Sequence, residues 1–130
     1  MKNLEQIRAQ HAINFWHPAQ GQSPIAHGVN NGDVISKLPS LVVSNGLLAT
    51  TAFARSKGGG HAVLLTAVFQ FLSHPDRAVL PRPPQPRPGE TELDTFIRLL
   101  TDGDAATSTR LQLATAEALA YLGYLKRFAP

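Results

Sequence analysis

Lys37-Leu38-Pro39-Ser40-Leu41-Val42-Val43-Ser44-Asn45-Gly46-Leu47, running on through Ala52-Phe53-Ala54-Arg55-Ser56-Lys57, is the stretch whose reading decides the fold. It is apolar enough to be a buried central helix. Yet it carries a proline near its start, an Asn-Gly pair in its middle and a basic end. Local rules broken inside a long apolar segment point to a specific packing or functional demand. The periodicity predicts a helix from about Asp33 to Ser56. Leu38, Leu41, Val42, Ala49, Ala52 and Phe53 share one broad face, with Val43, Leu47 and Ala54 opposite. Pro39 removes a backbone donor, which predicts a kink or break there. Asn45 projects onto the apolar face, where an amide without a partner costs roughly 1–3 kcal/mol. A side-chain bond to a neighbouring element is the expected solution for Asn45. For Gly46, local geometry and close approach of a partner backbone both stay open.

Working outward, the chain reads as all-α. Leu4, Ile7, His11 and Phe15 recur at helical spacing, with Trp16 beside them. Asn3 and Gln6 form a capping box for this helix, and His17-Pro18 ends it. Residues 19–31 read as a loop. Gly58-Gly59-Gly60 reads as a flexible turn closing the second helix. A third helix is expected from about His61 to Ser73, striped by Leu64, Val68 and Phe71. Pro75 and the run Pro81-Arg82-Pro83-Pro84-Gln85-Pro86-Arg87-Pro88-Gly89 then make an extended connection over 75–90, which favours polyproline II. Thr91 caps a fourth helix over Glu92 to about Thr101, with Asp94 in its first turn. A fifth runs from about Ala106 to Phe128, lined by Leu111, Ala114, Ala118, Tyr121, Leu122 and Leu125. The expected architecture is one domain over 1–130, a bundle of about five helices.

Composition narrows the function. At 130 residues the chain can bury a hydrophobic core. It has no cysteine, which excludes disulfides, thiolate metal sites and cysteine nucleophiles and fits a reducing cytoplasm. Met1–Trp16 mixes charges with apolar residues and does not read as a signal peptide. No apolar run reaches membrane-spanning length. The net charge of +3 is unevenly spread: residues 1–89 hold eight Lys/Arg against three acids, and residues 90–104 hold one against five. Such a basic body suits a polyanion, and equally describes an ordinary solvated surface.

Catalytic chemistry has little support. His11 and His17 are six residues apart and fall on different sides of a helix. His27, His61 and His74 read as surface or capping residues. No nucleophile elbow is present. Gly58-Gly59-Gly60 is not a phosphate loop, because its lysine precedes the glycines and no strand leads in. Asp102 and Asp104 around Gly103 read as helix punctuation. No catalytic residue, metal or cofactor is expected. Binding features are stronger. Lys37, Ser40, Ser44, Thr51 and Arg55 form a polar stripe on the second helix, suited to a nucleic-acid backbone. The alternative is a solvated edge on which Arg55 and Lys57 favour the helix C-terminus. Lys126 and Arg127 carry the same two readings. Arg82 and Arg87 read as linker residues.

These motifs have a family likeness. Lys37-Leu38-Pro39-Ser40, Asn45-Gly46-Leu47, Ala52-Phe53 and Ser56-Lys57, in this order, resemble the small subunit of the type III-B CRISPR Cmr effector complex. Leu4-Glu5-Gln6 at the start and Leu125-Lys126-Arg127-Phe128-Ala129 at the end extend the resemblance over most of the chain. Two positions depart from the family pattern. Asn30-Asn31-Gly32-Asp33 stands where an aromatic residue is common, and Tyr124 stands where tryptophan is common. The resemblance implies a non-catalytic helical subunit that stacks in several copies along guide and target RNA, with other effector subunits as neighbours. It points to Lys37, Lys57, Lys126 and Arg127 as RNA-binding residues, and the polar stripe adds Arg55 to them. A helical adaptor that binds only protein, through Val43, Leu47 and Ala54, is the alternative.

Overall fold

The computed structural model describes residues 3–19, 24, 33–101 and 108–130. Most of the loop expected over 19–31, with His27, lies outside these residues, as do Asp102, Gly103 and Asp104. Among the described residues the fold is all-α, with six helices and no strand: α1 (Leu4–Trp16), α2 (Asp33–Asn45), α3 (Leu47–Lys57), α4 (Gly59–Ser73), α5 (Glu92–Thr101) and α6 (Ser108–Phe128). No helix is long and apolar enough to cross a membrane.

The sixth helix arises because the expected second helix is two. Its break falls at Gly46 and not at Pro39, which α2 accommodates within its helical span. Gly46 has φ +89° and ψ 161°, a conformation that side chains resist and glycine tolerates. This break resets the helical phase. In α3 the buried positions are Leu47, Thr50, Thr51 and Ala54, an i, i+3, i+4, i+7 face. Ala49 and Ala52, expected in the core, are exposed, while Leu47 and Ala54 are buried. Asn45 is exposed and not set among core residues. A continuous wheel drawn across Gly46 cannot yield this pattern.

The buried central helix is α4. Its residues Leu64, Leu65, Val68, Phe69, Phe71 and Leu72 are all at most 1% exposed. It packs against α2, α3, α5 and α6. The three glycines do not form a separate turn between helices. Gly58 (φ +70°) is the cap shared by α3 and α4, and Gly59 (φ +54°) and Gly60 already fall within the span of α4. Phe69 stacks on Phe96 of α5 with ring centroids 4.6 Å apart, and Phe71 stacks on Tyr121 of α6 at 4.2 Å. Leu38, Val42, Ala118, Leu122 and Leu125 are core as expected, whereas Leu41 and Leu111 are half-buried.

Sequence-level caps hold where they are local. Asn3 Oδ1 accepts from the Gln6 N–H at 2.8 Å and Gln6 Oε1 accepts from the Asn3 N–H at 2.9 Å. Thr91 and Asp94 exchange equivalent bonds at the start of α5. Long-range polar ties are less legible. The Trp16 indole N–H donates to the Leu125 carbonyl at 2.8 Å, joining α1 to α6. Glu117 of α6 is 2% exposed and receives both Arg8 of α1 and Arg77 of the turn after α4. A buried carboxylate is tolerated only with such partners. The segment between α4 and α5 holds no helix or strand. Arg98 fastens it to α5, donating to Glu90 at 2.8 and 2.9 Å and to the Gln85 carbonyl at 3.3 Å. That fork holds the Glu90 carboxyl below its ordinary range.

Candidate nucleic-acid interface

Lys37 lies on α2 and Lys57 on the last turn of α3; both are exposed. Gly46 joins α2 to α3 and Gly58 joins α3 to α4, and both lysines act electrostatically on His61. His61 is half-buried near the start of α4. Its pKa is held below the ordinary 6.5, first by burial and then by the positive charges of Lys57 and Lys37. Both lysines, after burial, therefore disfavour the charged form of His61. Neither lysine is in an ion pair among the described residues. Phe53 meets His61 edge-on at 5.6 Å and is 44% exposed.

Arg55 belongs to the same helix but faces another partner. Its Nε donates to Asp94 Oδ1 at 2.5 Å, tying α3 to α5. Asp94 is held below its ordinary pKa, chiefly by this bond and then by the Thr91 N–H. Arg55 thus bridges two helices from a half-exposed position, with part of its charge already answered. The polar stripe expected along one helix is interrupted. Ser40 and Ser44 are exposed, but Thr51 is fully buried and its hydroxyl donates to the Leu47 carbonyl at 2.7 Å. Gly46 is again the cause, since it turns Thr51 from the solvent phase into the core.

Lys126 and Arg127 form a separate basic group on the last turn of α6, both exposed. Arg127 lies over the Tyr124 ring at 6.0 Å, and Arg8 of α1 lies at the same distance. Tyr124, where tryptophan is common in the resembling family, is thereby flanked by two guanidinium groups.

The patch expected of a protein-only adaptor is absent. Val43 is 72% exposed, but Leu47 and Ala54 are in the core. What sequence reasoning missed at this edge is Phe53 and His61. A wheel drawn through Gly46 puts Phe53 on the broad apolar face, so its exposure is not foreseen. His61 carries no local signal, because its meaning comes from two lysines on other helices.

Comparison with known proteins bears on these surfaces. Searches of curated proteins and of solved structures give no match. A family model described as CRISPR-associated protein (Cas_Cmr5) matches residues 4–130, nearly the whole chain. All three of the motif groups quoted above fall inside that span, as do both basic groups. The chain therefore belongs to the Cas_Cmr5 family of CRISPR-associated proteins, the small subunit of the type III-B Cmr complex.

Proposed function

We propose that this chain is a non-catalytic RNA-binding subunit that stacks in several copies along the guide and target RNA of a cytoplasmic effector complex. The observation that supports it most is the α2–α3 edge, where Lys37 and Lys57 stand exposed, without an ion pair among the described residues, and both act on His61. Like charges held together in this way are relieved by a polyanion. Two phosphates along one strand would neutralise the lysines and release counterions. Contacts of this kind position a strand without reading its sequence. That property suits a subunit serving many different guides.

Phe53 adds a second element. Its exposed ring beside the lysine pair offers a stacking surface for one unpaired base, which remains sequence-tolerant because every base has a π-face. Arg55 contributes to the same edge with the remainder of its charge, and Lys126 with Arg127 forms a second contact region on α6. Binding by one chain is then weak and rises when several copies share a strand. A protein-only adaptor loses its main support with the burial of Leu47 and Ala54.

Ultraviolet cross-linking of single-stranded RNA to the assembled complex, followed by peptide mapping, tests this reading. Cross-links on this subunit should fall in peptides spanning residues 37–61, with Phe53 as the favoured site. A complex that assembles fully while this subunit yields no cross-link would favour the adaptor.

A further inference from the structure

We propose that His11, His74 and Asp76, at the C-terminal end of α4, form a binding site for a first-row transition-metal dication of the zinc type that is independent of RNA binding. One donor atom from each residue lies within 4.8 Å of the other two. His11 Nε2 is 3.1 Å from Asp76 Oδ2, and His74 Nδ1 is 3.5 Å from the same oxygen. Ligand atoms on a tetrahedral zinc, with bonds of about 2.0–2.2 Å, are separated by about 3.3–3.5 Å. The two separations to Asp76 lie close to that value, and the two imidazole donors, within 4.8 Å of each other, would close on the ion by side-chain rotation.

The donor set selects the metal. Two imidazoles and one carboxylate suit zinc, cobalt or nickel and are poorly matched to magnesium or calcium, which prefer oxygen ligands. The tautomer at His74 is favourable. The Asp76 backbone N–H donates to His74 Nδ1 at 3.1 Å, which places the lone pair on that nitrogen and the proton on Nε2. The metal would take the place of this weak N–H···N bond. At His11 it would take the place of the contact with Asp76.

The turn that carries two of the ligands is held in place before any metal arrives. The N–H groups of Arg77 and Ala78 both donate to the His74 carbonyl, at 2.9 and 2.7 Å. Arg77 reaches the buried Glu117, and Ala78 takes the left-handed conformation, φ +49°. A non-glycine residue held at positive φ marks a backbone that its surroundings over-determine. The third ligand, on α1, is fixed by edge-on packing of His11 against Phe71 at 5.1 Å and against the His74 ring at 4.6 Å. Preorganised ligands of this kind are what a metal site needs. Both imidazoles line a recess of about 320 Å³ that also takes in Asn14 and Gln70. That recess leaves room for a water as the fourth ligand that a zinc ion would need. The metal would clamp α1 to the turn after α4, two parts of the chain more than 60 residues apart in sequence.

The test titrates zinc into the full chain by calorimetry, with cobalt absorption as a check on tetrahedral geometry and magnesium as the contrasting ion. One equivalent of zinc should bind and raise the melting temperature. His74→Gln and Asp76→Asn should each weaken binding about tenfold or more, on the scale seen when a metal site loses supporting groups. His74 and Asp76 are exposed, so both variants should keep the helical circular dichroism of the parent. No binding near one equivalent would overturn the proposal. Binding that both variants retain unchanged would overturn it equally, by moving zinc to other histidines.

Discussion

Glu117 and the Lys37–Lys57 pair show two ways this bundle handles charge. Glu117 is 2% exposed, and its two oxygens face Arg8 and Arg77 from separate parts of the chain. Charge there is enclosed and cancelled, and it fixes how α1, α6 and the turn after α4 meet. At the α2–α3 edge, Lys37 and Lys57 are exposed, and their shared charge presses on His61. The first arrangement is complete within the chain. The second leaves two exposed lysines that no ion pair among the described residues neutralises. Ion pairs inside the protein specify its shape, whereas uncancelled charge on its surface specifies its partner.

The sharpest way to break this comparison is to remove charge from each region in turn. Replacing Arg8 and Arg77 together by alanine strands a buried carboxylate and should cost about 3–5 kcal/mol of stability in urea unfolding. Replacing Lys37 and Lys57 together should change stability by no more than about 0.5 kcal/mol, because exposed substitutions rarely do more. Equal losses in both pairs would show that the lysines are structural after all.

A second contrast examines the phase reset at Gly46. Ala54 is fully buried and Ala52 exposed, although both belong to α3. Ala54→Asp should cost more than about 3 kcal/mol through an unpaired buried charge, and Ala52→Asp within about 0.5 kcal/mol. The reverse order would restore a single helix running through Gly46.

This reset marks the limit of what the sequence discloses. Caps and helix ends that depend on neighbours within four residues were legible: the Asn3–Gln6 box, the stop at His17-Pro18, and Thr91 with Asp94 before α5. So was the core face of α6 at Ala118, Leu122 and Leu125. Gly46 could be read as unusual, but not as the point where the apolar face changes. One torsion at φ +89° decides that, and it moves Ala49, Ala52, Thr51, Leu47 and Ala54 together. The polar stripe and the family likeness together make Lys37 a candidate, and the likeness adds Lys57. Their convergence on His61, and the diversion of Arg55 to Asp94, depend on helix packing and have no local signature.

A smaller effect sharpens the electrostatic side. His61 is held below its ordinary pKa in the folded chain, so the unfolded chain takes up protons first as pH falls. Its contribution to stability is complete above the ordinary 6.5 and declines as pH drops from there through the lowered folded value. Changing Lys37 and Lys57 to alanine should raise the His61 pKa part of the way back, since burial remains the larger cause. Added RNA should raise it too, as phosphate favours the imidazolium. Nuclear magnetic resonance titration of the His61 ring reads both shifts. An unchanged value in the lysine variant would separate the lysines from His61.

The central claim is that this exposed lysine pair holds an RNA backbone, and a titration of single-stranded RNA at several salt concentrations tests it most directly. Wild-type binding should weaken as salt rises and be insensitive to base sequence. The Lys37→Ala, Lys57→Ala double variant should bind more weakly, with a log–log salt slope flatter by about 1.4, near 0.7 for each lost phosphate contact on a single strand. A double variant that binds as tightly as wild type, with the same slope, would contradict the account.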